Sequence, residues 1–204
     1  VRPGTRSIAA SVLVSLLGIS FLWWSTDGFS AFTAETARRL EILRAPRALP
    51  TTLLEDQDGH LFRLQDYQGR LVAVEFIYTR CNTLCRSMGM AFKQIRDRVP
   101  AQILQRDFAL LSISFDPQRD DLSSLKAYGY TYGADGKQWR IARVHNAADL
   151  KPLLKAFGVV AIPDGLGGFE HNAAIQLIGR NGKLIQIVDI DNPLQFADRI
   201  ATWL

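Results

Sequence analysis

Hydrophobic residues along the chain fall into three kinds of run, and the kind changes with position. Residues 8–24, IAASVLVSLLGISFLWW, carry no charge, a length at the short end for a helix that spans a bilayer and above that of a signal-peptide core. Residues 29–43 place Phe29, Phe32, Leu40 and Leu43 among polar positions at helical spacing, which predicts a short amphipathic helix. Pro46 and Pro50 end that pattern, and strand-like and helix-like segments alternate after it. Residues 53–63, centred on Asp58-Gly59, read as a hairpin. The run LVAVEFIYT at 71–79 reads as a strand buried on both faces, as in parallel sheets. Helical spacing of Met88, Phe92 and Ile95 predicts a helix over 84–99. A strand at 108–115, a helix at 121–130, a strand at 139–144 and a helix at 148–157 follow. Strands at 173–178 and 184–189 are joined through Arg180-Asn181-Gly182, and Pro193 after Asn192 opens a last helix to residue 204.

Strand, helix, strand, helix, antiparallel hairpin and final helix is the order of an α/β, thioredoxin-like domain. Sites in open α/β sheets gather at the carboxyl ends of the strands. The uncharged run at 8–24 is preceded by Arg2 and Arg6 and ends in Trp23-Trp24, an arrangement that puts the N-terminus in the cytoplasm and an aromatic anchor at the far interface. Bulky residues 21–24 stand where a small-residue cleavage site is expected, so the run reads as a single uncleaved transmembrane helix. The expected organisation is a cytoplasmic N-terminus at 1–7, a transmembrane anchor at 8–24, a stalk or linker helix at 25–48, and a thioredoxin-like domain at 49–204. With no Arg- and Ser-rich transit segment ahead of the anchor, a bacterial inner membrane with the domain in the periplasm is favoured over a mitochondrial inner membrane facing the intermembrane space.

Composition narrows the chemistry. The 204 residues carry a formal charge of +4, with no basic stripe interleaved with aromatics, which argues against a nucleic-acid partner. The two cysteines, Cys81 and Cys85, close too short a loop to stabilise a fold as a disulfide. They sit just past the strand at 71–79, and at helical spacing both side chains share one face, one turn apart. A helix N-terminus, Arg80 and Arg86 all favour thiolate over thiol. Such a pair can grip one soft ion or form a disulfide, whereas inert buried thiols would sit away from such positive groups. Of three histidines, His60 lies in the Asp58-Gly59 hairpin and His145 in a polar loop. His171 ends the glycine-rich loop PDGLGGFEH just before a strand. A lone histidine is ordinarily a loop residue, but this position passes beside the cysteine-bearing helix in a thioredoxin-like sheet. Two thiolates and one imidazole make a soft, low-coordinate set suited to copper, Cu(I) or Cu(II), where zinc would want a fourth ligand. Met88 and Met90 are soft too, but their helical spacing predicts core packing.

Three stretches carry a family resemblance: FIYTRCNTLC at the cysteines, SISFDPQRDD around Asp116, Pro117 and Asp120, and EHNAAIQLIGRNGKL containing His171. From about Leu49 to the C-terminus the chain resembles the Sco/SenC copper proteins that assist cytochrome c oxidase assembly. The resemblance implies copper bound by Cys81, Cys85 and His171. It also implies delivery of copper to the binuclear copper centre of oxidase subunit II, or reduction of that centre's thiols, and an upstream copper donor or thiol reductant as a further partner. Asn82 and Arg86 depart from the prolines that many members have beside the cysteines, and the glycines at 165–168 suggest a mobile ligand arm. A thiol-disulfide oxidoreductase is the alternative, although C-x-x-C is the redox spacing expected on this fold. A peroxiredoxin-type peroxidase fits less well, because Thr79-Arg80 and the paired Cys85 do not resemble its reactive loop. Asp120 or Asp121 is expected to cap the helix after Pro117; Asp116 ends a strand on the site side.

Overall fold

The computed structural model of the chain describes residues 4–81 and 84–204, apart from the side chains of Arg6, Leu84 and Cys85. The chain divides into two compact units, Val1–Arg44 and Ala45–Leu204. In the first, α1 (Thr5–Ser25) contains the uncharged run, and its stretch Ser7–Ser25 is long and apolar enough to cross a membrane. The second helix begins later than its periodicity predicts. Asp27, Gly28 and Phe29 all take positive φ, and Thr33 Oγ1 accepts a hydrogen bond from Thr36 N at 3.1 Å, so the cap starts α2 at Ala34–Arg44. Phe29 and Phe32 therefore fall in the turn before the helix.

The second unit opens with β1 (Arg47–Ala48), β2 (Leu53–Asp56) and β3 (Leu61–Arg63), the last two joined across Gly59, whose φ of 82° fits the tight turn. Then come β4 (Leu71–Ile77), α3 (Leu84–Arg98), α4 (Ala101–Arg106) and β5 (Phe108–Ser114). The sequence reading missed α4. Pro100 ends α3 by disfavouring helical backbone at Val99, then serves as the N-cap of a new short helix. After α5 (Leu122–Tyr132), β6 (Trp139–Val144) and α6 (Leu150–Phe157), a hairpin forms from β7 (Ala161–Pro163) and β8 (Phe169–His171). The chain ends with β9 (Ile175–Ile178), β10 (Lys183–Val188) and α7 (Pro193–Arg199).

Among the described residues the main sheet has eight strands in the order β1-β10-β9-β4-β5-β6-β2-β3. Only β4 with β5 and β5 with β6 run parallel. Every residue of β4 and β5 is buried, as central strands with both faces covered require, which explains why both are mostly apolar. Side-chain alternation sorts the helices. Trp139 on one face meets Phe92 of α3 with ring centroids 5.8 Å apart, and Phe76 on the other meets Phe157 of α6 at 5.0 Å. Ile141, on the Trp139 face, sits against Gly129 of α5. Thus α3 and α5 cover one face and α6 the other, and α7 joins α3 through an Arg98–Asp198 ion pair at 2.7 Å.

One residue breaks the apolar run of β4. Glu75 is fully buried on the α3 face. Ser112 Oγ donates to its Oε1, Trp139 Nε1 donates in turn to Ser112 Oγ at 2.9 Å, and Oε2 has no partner among the described residues. Burial, opposed only by the Ser112 bond, pushes its pKa up to about 8, so the folded protein holds this carboxyl protonated at neutral pH. A folded-state pKa above the unfolded value means that stability is present in full below about 4.5 and is lost as pH rises through about 8. Urea titrations of the detergent-solubilised chain should therefore show wild-type stability falling relative to Glu75→Gln by up to about 1.4 kcal/mol per pH unit within that window. Parallel stability curves would remove the buried acid from the account.

Candidate functional site at the carboxyl edge of the sheet

The parallel strands β4 and β5 end side by side, and a buried carboxylate ties them. Asp120, wholly buried, accepts from Thr79 N at 3.0 Å and Thr79 Oγ1 at 2.6 Å after β4, and from Ser114 Oγ at 2.6 Å at the end of β5. Its expected capping role belongs instead to Asp121, whose Oδ1 accepts from Ser124 N at 2.8 Å. Local spacing leaves Asp120 and Asp121 as equal capping candidates; the bonds to Thr79, forty-one residues away, are what separate Asp120 from that role. Cys81 lies two residues past Thr79, buried, with its N–H donating to Tyr78 O at 3.2 Å. Cys85 lies in the first turn of α3; its side chain, like residues 82 and 83, is outside the described residues.

His171 does not end a plain loop, as its sequence suggests. It ends β8, in register with Ala161 of β7, in a hairpin separate from the main sheet. The hairpin turns on Asp164, whose Oδ1 accepts from Leu166 N at 2.7 Å and Gly168 N at 2.9 Å, with Gly165 and Gly167 at positive φ. At its base, Asn172 bonds Val160 N through Oδ1 at 2.8 Å and Gly158 O through Nδ2 at 3.1 Å. The glycines are the price of so tight a tip, and Gly168 has a second use: a Cβ there would meet Tyr78 Oη at 3.2 Å.

An aromatic cluster seats this hairpin on the α6 face. Tyr78 and Phe115, the first residues after β4 and β5, pack against Phe169 at 5.3 and 5.2 Å and against the His171 ring at 6.2 and 4.9 Å. Arg119 adds a polar clasp: it pairs with Asp116, donates from Nη1 to Gly167 O at 2.7 Å, and lies 5.3 Å over the Phe169 ring. Asp116, left open by the sequence, thus orients the arginine that holds the hairpin tip. His171 is half-buried with Nδ1 3.4 Å from Asn172 O. Burial lowers its pKa below the ordinary 6.5, against the Asn172 contact, which raises it, so the ring is neutral at pH 7. An Nδ1–H directed at that carbonyl leaves Nε2 as the lone-pair nitrogen.

His60 is exposed and beside Asp56, and His145 is exposed on the β2 side, as the sequence suggested. Met88 is fully buried, but Met90 is 47 % exposed, against the expectation of core packing for both. Among the described residues no three His, Cys, Asp or Glu side chains gather at one point. The sequence reading overlooked Tyr78, Phe115 and Arg119. The signal was available for the first two, since aromatics immediately after two adjacent buried strands must lie together at their ends.

Fold and edge together define a thioredoxin-like protein with a cysteine loop at the carboxyl end of its parallel strands. The chain belongs to the SCO1/SenC family, whose model matches residues 50–204. The SCO1 protein homolog of Bacillus subtilis is 25% identical over 134 residues, covering 65% of this chain and 68% of that one. ScoI of Bradyrhizobium japonicum, solved with copper bound, superimposes with a TM-score of 0.68 at 20% identity, covering 77% and 99% of the two chains. BsSco, a member of the Sco family of cytochrome c oxidase assembly proteins in which a disulfide switch was identified, gives 0.61 at 20% identity, covering 78% and 96%.

The clasp yields a test. Arg119→Ala should raise amide hydrogen exchange across residues 161–171 by about tenfold, the loss of roughly 1.4 kcal/mol of local closure, with the β4 and β5 amides unchanged. Equal exchange in both proteins would mean that the aromatic cluster alone seats the hairpin.

Proposed function

We propose that this chain is a membrane-anchored copper metallochaperone that assists assembly of the binuclear copper centre in cytochrome c oxidase subunit II, holding one copper ion through Cys81, Cys85 and His171. The supporting observation is His171: a neutral imidazole, half-buried on a braced hairpin, packs on Tyr78, whose carbonyl binds the N–H of Cys81. Two thiolates and a neutral imidazole suit a soft ion of low coordination number. The copper-bound relative and the shared family support the same reading. With α1 as a single-pass anchor, the domain works in the periplasm of a bacterial inner membrane, where it receives copper from an upstream donor.

A second reading, thiol-disulfide exchange at the oxidase copper site, is favoured by Cys81 lining an open cleft and by the disulfide switch of BsSco. One pair of measurements separates them. In chelator competition, His171→Ala should weaken copper binding by more than the roughly 10–100-fold that loss of an outer partner costs, while Cys81→Ser and Cys85→Ser abolish tight binding. Unchanged affinity in His171→Ala would defeat the three-ligand site. If that variant also kept full exchange rates with a disulfide substrate, the reductase reading would take its place.

A further inference from the structure

Cys81 lines one surface and is bonded through its backbone N–H to Tyr78 of another. The aromatic cluster and His171 lie toward the α6 face, and none of Tyr78, Phe115, Phe169 or His171 lines the cleft on the other side. That cleft, about 470 Å³, runs along α5 on the α3 face and is lined by Thr79, Cys81, Arg86, Ser124, Ala127, Tyr128, Thr131 and Tyr132. Its volume falls within the range of ligand sites, roughly 300–1,000 Å³.

The wall is one helical stripe: Ser124, Ala127, Tyr128 and Thr131 stand at i, i+3, i+4 and i+7 of α5. Small side chains along it leave a trough, and hydroxyls offer donors and acceptors to a passing backbone. The trough is held at a fixed width by a close approach of helices. A Cβ on Gly89 of α3 would meet Tyr128 Oη and the Tyr132 ring at 2.8 Å, and the two tyrosine rings pack at a tilt of 53° with centroids 4.7 Å apart. Arg86 is the one charged side chain among the described lining residues, and no carboxylate opposes it there.

We propose that this cleft is a binding site for an extended polypeptide segment of the partner protein that carries a cysteine and a neighbouring carboxylate. The segment's backbone runs along the α5 stripe, its carboxylate meets Arg86, and its sulfur comes to Cys81 from the side opposite the hairpin. The assignment deepens the metallochaperone reading and rests on it for the identity of the partner: copper held from the His171 side is approached by the recipient's thiol from the cleft side, so that donor and recipient ligands need not compete for one space.

The probe is a ten-residue peptide with a central cysteine flanked by glutamates, titrated calorimetrically into the reduced full-length chain in nanodiscs, beside Cys→Ser and Glu→Gln versions and reduced glutathione. Ala127 and Thr131 are exposed, so Ala127→Trp and Thr131→Trp fill the trough without entering the core, and circular dichroism checks their fold. Both variants should bind the peptide at least about tenfold more weakly while keeping wild-type copper affinity. Replacing the glutamates should weaken binding to the wild type but not to Arg86→Gln, the signature of a direct pair in a double-mutant cycle. Undiminished binding to both tryptophan variants would overturn the proposal, as would glutathione binding as tightly as the longer peptide, which would make this a small-thiol site. His171→Ala should retain the peptide, so failure of the copper site and failure of the cleft are read separately.

Discussion

The site depends on one buried carboxylate. Asp120 takes three hydrogen bonds from the ends of two parallel strands and is wholly out of solvent. A buried carboxyl group is tolerable only when its oxygens are hydrogen-bonded, so the positions of Thr79 and Ser114 are mutually fixed. Much of the candidate site follows within a few residues of those two: Tyr78 and Cys81 after one strand, Phe115, Asp116 and Arg119 after the other. The edge is thereby a rigid platform on which softer parts are mounted.

Those softer parts are arranged on opposite faces. Toward α6, aromatic rings and the Arg119 clasp hold a two-stranded arm with His171 at its end. Toward α3 and α5, the sheet edge opens into a cleft with a polar helical wall. Cys81 stands in the loop that follows β4 and lines the cleft. Packing and polarity meet there because a central parallel strand is covered on both faces only up to its last residue, after which the chain turns and exposes polar groups.

How much of this was legible in the sequence depended on the reach of each signal. Buried strands 71–79 and 108–115 were plain because parallel interior strands need continuous apolar runs, and the Asp58-Gly59 and Asn181-Gly182 turns announced their hairpins. The hairpin of β7 and β8 was hidden. Its strands are three residues each and it closes on Asp164 and two positive-φ glycines, so composition alone reads as loop. The roles of Asp120 and Glu75 carry no local signal, because each bonds a partner distant in sequence. Thiol spacing, position before a strand and family resemblance single out Cys81, Cys85 and His171 as candidates; what seats His171 carries no such signal.

The separateness of the β7–β8 arm has a kinetic meaning. Among the described residues it shares no ladder with the main sheet, so its opening would leave the ladder of the main sheet intact, and its closure would have an equilibrium of its own. Under the metallochaperone reading, the apparent affinity for cargo is the intrinsic affinity multiplied by the fraction of arms that are closed. A contact that pries Arg119 from Gly167 then loosens the cargo without touching a thiolate.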